Sequence, residues 1–372
     1  MIRVLHIMGC SDAGGISSVV LNYYRNIDRT KIRFDIALTI STVGQNGKAL
    51  QELGATIHYL PLKSDGMKAF TAALEALLKT EKYDAVHVHE SETCYVALMV
   101  AKKLGVPCRI AHSHTSSPWE GWKGELRRLS GILLNYPVST HVIGCGQMAG
   151  ERVFGKWNMR RSKALVLPNA VDTKKFAFSE LIRDEVRREL QVEDKYVIGM
   201  VGRLSEEKNF PFALDLFAVI QKEQPDCVLL IAGNGDQEKR LRKQIVTLGI
   251  EDNVKMLGRR ADVERLCQAF DVYILPSFHE GFPISVLEAL ASGLPAIVSD
   301  TVPHEFDFAS AIQYLPLNEP ETWIAEIMRY RNDTGRMERQ HEPGANGYDI
   351  RDTAGILEAI YSGQPSEKKN DE

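Results

Sequence analysis

Ser277 to Asp300 reads SFHEGFPISVLEALASGLPAIVSD and follows directly on DVYILP, apolar from Val272 onward. Two unbroken apolar runs enclose a polar loop and a stretch of helical period, which makes a strand–loop–helix–strand unit. Neither run alternates, so both faces of each strand are expected to be covered, as in a parallel sheet flanked by helices. The loop holds Glu280 and Gly281 and leads into a helix predicted to begin near Pro283, a residue suited to the first helical turn. Glu288 falls eight positions after Glu280, one to two turns into that helix. Carboxylates accept hydrogen bonds from paired hydroxyls, so two of them at a strand's carboxyl end suit a ribose and a sugar. The helix N-terminus between them, with amides near Phe282 and Ile284, suits a diphosphate.

The same alternation extends in both directions. The second half is predicted to hold strands at Val197–Val201, Cys227–Ala232, Val254–Leu257, Val272–Leu275 and Ala296–Ser299. The first half holds them at Ile2–Met8, Phe34–Thr39, Thr56–Leu60, Ala85–His89, Cys108–His112 and His141–Gly144. Between the halves, KKFAFSELIRDEVRREL reads as a linker and a new helix. The expected architecture is therefore α/β: two doubly wound, Rossmann-like domains facing across a cleft, the usual ligand site. The expected boundaries are 1–170, 171–345, a helix over 346–362 that crosses back to the N-terminal domain, and a disordered tail over 363–372.

Ligands of open α/β sheets bind at the carboxyl ends of the strands, so loops there are the places to look for chemistry. Arg203 and Lys208, in VGRLSEEKNF, can clamp phosphates as a fork and as a point charge. Gly14 and Gly15 close the loop after the first strand and open a helix, where backbone N–H groups can approach an anion or simply make a tight turn. Gly144, Gly146 and Ala149 form a G-x-G-x-x-A, but KALVLPN downstream offers no acidic residue, which argues against a nicotinamide site. His87 with His89 and His112 with His114 are period-2 pairs at strand ends. His87 and His112 read as core histidines. His114, beside Thr115 and Ser116, reads as a cleft residue that donates to a substrate oxygen or carries a proton. No Asp-x-Asp occurs and nothing requires a metal, so no cofactor is expected.

The 372 residues carry a net charge of -4 that hides an uneven distribution: residues 1–170 hold 21 Lys and Arg against 13 Asp and Glu. Between Lys102 and Lys163 the ratio is 11 to 3. Such a patch points to something anionic. Within it, SSPWEGWKGELRRLSGILLNYPV (residues 116–138) carries Trp119, Trp122, Leu126, Leu129 and Leu133 beside Lys123, Arg127 and Arg128. Two readings stand side by side: a surface for an anionic membrane through residues 119–135, or a helix packed on its own domain. Six scattered cysteines form no C-x-x-C pair, and no stretch approaches the length of a membrane span. A cytoplasmic protein is expected, with any membrane contact peripheral, on the inner face of the cell membrane.

The N-terminal glycine pair, AVHVHES, RIAHSHTSS, LPNAVD, VGRLSEEKN, LIAGNGD, LGRRADV and EGFPISVLE together resemble the family-4 retaining glycosyltransferases of the GT-B fold, particularly the EpsF-like enzymes of bacterial exopolysaccharide and capsule synthesis. The resemblance implies a nucleotide-sugar donor of the UDP-sugar class and a glycan or polyisoprenyl-pyrophosphate-linked acceptor. It implies catalytic roles for His114 and Glu280, diphosphate contacts from Arg203, Lys208, Gly15, Phe282 and Ile284, and a ribose contact from Glu288. Gly14, Asn169, Gly233 and Arg259 would lie on donor-side loops. It also implies retention of anomeric configuration by front-face substitution, in which the leaving phosphate takes the acceptor proton. Pro283 and Ala170 stand where many relatives have Gly; Pro283 lacks an N–H, so one diphosphate contact is expected to be missing or moved. A UDP-sugar epimerase or hydrolase of the same fold is the nearest alternative. A two-domain solute-binding protein would need an export signal, and no nucleic-acid module is present.

Overall fold

A computed structural model describes residues 1–9, 15–40, 42–114 and 121–364; Gly14, Trp119 and the tail beyond 364 lie outside the described residues. The chain forms two compact units. One joins Met1–Ala170 to the segment that starts at Ile350, and the other is Val171–Asp349.

The first unit is built on seven strands: β1 (Ile2–Met8), β2 (Ile32–Leu38), β3 (Thr56–Tyr59), β4 (Ala85–Val88), β5 (Cys108–Ser113), β6 (His141–Gly144) and β7 (Ala164–Val166). Their order is β3-β2-β1-β4-β5-β6-β7, with every pair parallel. The crossover direction reverses between β1 and β4, the usual switch point of such sheets. Gly144 meets the helix Gln147–Phe154 so closely that a Cβ there would lie 2.6 Å from the Gly150 Cα. Gly144 of the G-x-G-x-x-A thus serves strand–helix packing. The helix Ile350–Tyr361 completes this unit, with Glu358 accepting the Asp28 N–H and Tyr361 bonding His87.

The second unit holds β8 (Tyr196–Val201), β9 (Cys227–Ala232), β10 (Val254–Met256), β11 (Val272–Leu275), β12 (Ala296–Ser299) and β13 (Ile312–Leu315), in the order β10-β9-β8-β11-β12-β13. Its sheet is covered on both faces, as the unbroken apolar runs require. Val197, Tyr273 and Val298 pack on one side, and Ile198, Phe217 and Trp323 on the other. The unit ends at Asp349 rather than at 345, because residue 349 still pairs with Val171 and accepts from Thr173.

Candidate functional site

In the second unit, the loops after β8, β9, β10 and β11 end side by side. Gly202 N–H donates to the Ala232 carbonyl (3.0 Å) and Gly233 N–H to the Gly258 carbonyl (2.8 Å), which ties the first three strand ends together. A Cβ on Gly233 would sit 1.8 Å from the Gly202 carbonyl oxygen, so only glycine permits that approach. Arg203 and Arg259 follow these glycines and are both exposed. After β8 the chain makes a turn at Glu206–Lys208 and enters the helix Phe210–Glu223 through Asn209 in the left-handed region.

That turn presents Lys208 to the loop after β11. Lys208 Nζ donates to Glu280 Oε1 at 2.6 Å, and Ser277 Oγ donates to the same oxygen at 2.6 Å. Phe278 N–H donates to the Glu207 carbonyl at 2.8 Å, and Ser299 and Thr301 hydroxyls donate to the Ser277 carbonyl at 2.6 and 2.9 Å. The Glu280 carboxylate is therefore buried and aimed, yet both bonds fall on one oxygen. Oε2 has no protein partner among the described residues and remains an acceptor for hydroxyls.

The helix of the E-x7-E segment begins one residue later than expected, at Ile284, with Pro283 outside it as the cap. Pro283 (φ -79°, ψ 86°) closes an inverse γ-turn in which the Ile284 N–H donates to the Phe282 carbonyl at 3.0 Å. This corrects the expected diphosphate contact at Ile284: that amide is already bonded, because proline fixes the turn. The Phe282 N–H has no protein partner among the described residues. Glu288 is half-buried, and desolvation with the nearby Glu264 pushes its carboxyl up to about 8 against the opposing effect of Lys175. Lys175 itself pairs with Glu264 at 2.9 Å. Glu288 is thus a neutral acid near neutral pH, whereas Glu280 is held in an ion pair.

In the first unit, Gly15 opens the helix Gly15–Asn26, and among the described residues no atom lies within 4 Å of where its Cβ would stand. Gly14 lies outside the described residues. Both ring nitrogens of the half-buried His114 are engaged: Nε2 lies 2.8 Å from His89 Nδ1, and Nδ1 lies 3.3 Å from Asn169 Oδ1. Burial lowers its pKa to about 4, opposed by the Asn169 bond. His6, which the sequence reading passed over, belongs to the same cluster. The β1–β4 register sets it opposite His87, and its Nδ1 lies 2.9 Å from His89 Nε2. The nitrogens of His6, His87 and His89, and of His89, His112 and His114, lie within 4.8 Å of one another, the sets that could hold a metal. Their contacts at 2.8–2.9 Å are hydrogen bonds, shorter than the roughly 3.3 Å edge that zinc–nitrogen distances give a tetrahedral site.

The helix Gly121–Val138 turns Gly124, Gly131 and Asn135 inward and leaves Trp122 (74%), Leu126 (60%), Leu129 (47%) and Leu133 (68%) exposed, with Lys123 and Arg127 beside them. Gly131 sits against the Glu92 backbone, where a Cβ would come within 3.1 Å of its Cα. The apolar stripe is thus not packed on its own unit. Beside it lies an open groove of about 630 Å³ lined by Glu125, Arg128, Ile132, Arg152 and Lys156 among others. Among the described residues no helix is long and apolar enough to cross a membrane.

Comparison with known proteins gives this arrangement its context. Residues 13–175 match the model described as Glycosyltransferase Family 4, and residues 182–347 the model described as Glycosyl transferases group 1. The chain is 31% identical over 371 residues to the glycosyltransferase EpsF of Bacillus subtilis, covering 97% of this chain and 96% of that protein. It belongs to the family-4 glycosyltransferases of the GT-B fold. A second relative of this glycosyltransferase, the UDP-Gal:α-D-GlcNAc-diphosphoundecaprenol α-1,3-galactosyltransferase of Escherichia coli, is 31% identical over 279 residues, 70% of each chain. Among solved structures, Anabaena HepE in complex with UDP matches the fold with a TM-score of 0.79 at 19% identity, covering 98% of this chain and all of that one. The same protein with UDP-glucose gives 0.78 at 20% identity, again over 98% of this chain and 100% of that one.

Proposed function

We propose that this glycosyltransferase moves a sugar from a UDP-sugar to a glycan or polyisoprenyl-pyrophosphate-linked acceptor, with retention and without a metal, in cell-surface polysaccharide synthesis. The observation that carries the reading is the Lys208–Glu280–Ser277 group at the ends of β8 and β11. It pairs a cation suited to a diphosphate with a carboxylate whose second oxygen can take sugar hydroxyls. Arg203 adds a second cation, and Glu288 suits the ribose. In the proposed step an acceptor oxygen bonds the anomeric carbon, the bond from that carbon to the diphosphate oxygen breaks on the same face, and the acceptor proton passes to the departing UDP. Such a step depends on positioning and charge stabilisation more than on a strong base.

The acceptor side rests on the exposed Trp and Leu stripe with its basic flank, which suits an anionic membrane surface, the setting of a polyisoprenyl carrier. The named substrate of the Escherichia coli relative, a diphosphoundecaprenol, supports the same class. We place the protein in the cytoplasm, at the inner face of the membrane. A panel of UDP-sugars screened by thermal shift should yield one that raises the melting temperature, since a ligand of the native state stabilises it. That donor should be consumed only when a lipid-linked or glycan acceptor is added, with the product retaining the donor's anomeric configuration. Epimerised or free sugar formed from donor alone would favour the epimerase or hydrolase reading instead.

A further inference from the structure

His6, His89 and His114 run in line on one face of the first sheet: His6 Nδ1 to His89 Nε2 at 2.9 Å, His89 Nδ1 to His114 Nε2 at 2.8 Å, and His114 Nδ1 to Asn169 Oδ1 at 3.3 Å. We propose that this line is one polarised hydrogen-bond chain that holds His114 as a fixed N–H donor at Nδ1, with His89 as its positioning residue. The inference rests on the catalytic role that the family resemblance implies for His114.

Burial lowers the pKa of all three rings, so each is neutral near neutral pH and carries a single N–H. Every link needs one donor and one acceptor, so the three protons must point the same way along the chain. With Asn169 Oδ1 accepting from His114, the order runs His6 Nδ1–H to His89, His89 Nδ1–H to His114, and His114 Nδ1–H to Asn169. The far end, His6 Nε2, is buried without a hydrogen-bond partner among the described residues. In this direction it is a bare lone pair. In the opposite direction it would be a stranded N–H, a buried donor with its hydrogen bond unmade.

With all three rings neutral, the line passes on an orientation and not a charge. The hydrogen bond at one ring nitrogen decides the state of the other. The Asn169 link is the longest of the three, so a substrate oxygen that takes its place meets an N–H and not a lone pair. His114 is then a neutral donor to an oxygen and not a base. A second line, His112 Nδ1 to His87 Nε2 at 3.0 Å and His87 Nδ1 to Tyr361 Oη at 2.7 Å, is equally buried but makes no hydrogen bond to His114. It supplies an internal control.

The test uses full-length protein labelled with ¹⁵N-histidine, its tautomers read by long-range ¹H–¹⁵N correlation at neutral pH and the His114 signals assigned by their loss in His114→Asn. Wild type should show His114 as Nδ1–H. His89→Phe removes the donor to Nε2 and leaves only the 3.3 Å Asn169 link to hold Nδ1–H, so the Nε2–H form that free imidazole prefers should gain population, and kcat should fall about tenfold or more with donor KM nearly unchanged. His89→Asn, whose amide nitrogen stands where Nδ1 stood, should restore both, and His87→Gln should leave both as in wild type. An Nε2–H His114 in wild type, or an unchanged tautomer in His89→Phe, overturns the chain. A changed tautomer with unchanged kcat keeps the chain and removes His114 from the reacting end. If His89→Phe does not fold, the wild-type spectrum and His89→Asn decide.

Discussion

Both units place polar side chains at the carboxyl ends of their central strands, but they keep those groups in opposite electrical states. In the first unit five histidines and Tyr361 meet with no carboxylate or cation among their hydrogen-bond partners in the described residues, and burial holds the rings neutral. In the second, Lys208 and Glu280 remain a charged pair at the mouth of the sheet. The same topology thus carries two kinds of site. One is a rigid array of neutral donors and acceptors, and the other is a localised charge that a diphosphate can exchange for its own.

The largest effect should come from removing that charge. Lys208→Ala and Glu280→Ala should each lower turnover by about 10²–10³, the usual cost of losing one preorganised electrostatic contact, while circular dichroism and melting stay close to wild type. Wild-type turnover in both variants would dissolve the contrast.

The second effect is on stability against pH, with opposite signs in the two units. The folded pKa values of the histidines lie below the ordinary 6.5, at about 4 for His114 and about 3 for His6. Folded protein therefore binds fewer protons than unfolded, and their contribution is complete above 6.5 and lost as pH falls toward 4. Each buried ring adds up to about 1.4 kcal/mol per pH unit to that slope. Urea midpoints across this range should fall steeply, and His87→Leu should flatten the slope by about one proton. Glu288 works the other way: its folded pKa of about 8 exceeds the ordinary 4.5. Folded protein binds the extra proton, and stability drains as pH rises from 4.5 through 8. Glu288→Gln should therefore gain melting temperature over wild type above pH 8 more than at pH 6. An equal difference at both would mean that the carboxyl is not neutral in the fold.

The smallest effect on the fold should follow from changing the exposed stripe. Trp122→Ser, Leu126→Ser and Leu133→Ser together should shift stability little, since surface changes usually stay within about 0.5 kcal/mol. The same variant should lose salt-sensitive binding to vesicles of anionic lipid. Equal vesicle binding by wild type and variant would remove the membrane reading and leave the groove beside it.

The strands that were legible in the sequence are those buried on both faces, such as CVLLIA and VYIL. Two strands were missed, and each lies at a sheet edge: β7 is three residues with one exposed, and β13, IQYL, is only partly buried. An edge strand needs no continuous apolar run, so its pattern is weak. Strand-end reasoning found Lys208 and Glu280 because both follow directly from chain position. It could not see that Pro283 turns the Ile284 amide back on Phe282, or that both nitrogens of His114 are occupied. Those facts depend on backbone angles and on side chains up to 83 positions apart, as with His6 and His89. The one available signal for His6 was its place near the end of β1, on the face that the paired histidines share.

The return of the last helix to the first unit has a consequence for synthesis. Residues 171–349 are contiguous and can close their core without any residue from outside that span. The unit that begins the chain cannot do so, because Ile360 and Tyr361 supply buried surface and the partner of His87. The half made first is the half finished last, and the histidine array closes only when residue 361 has emerged.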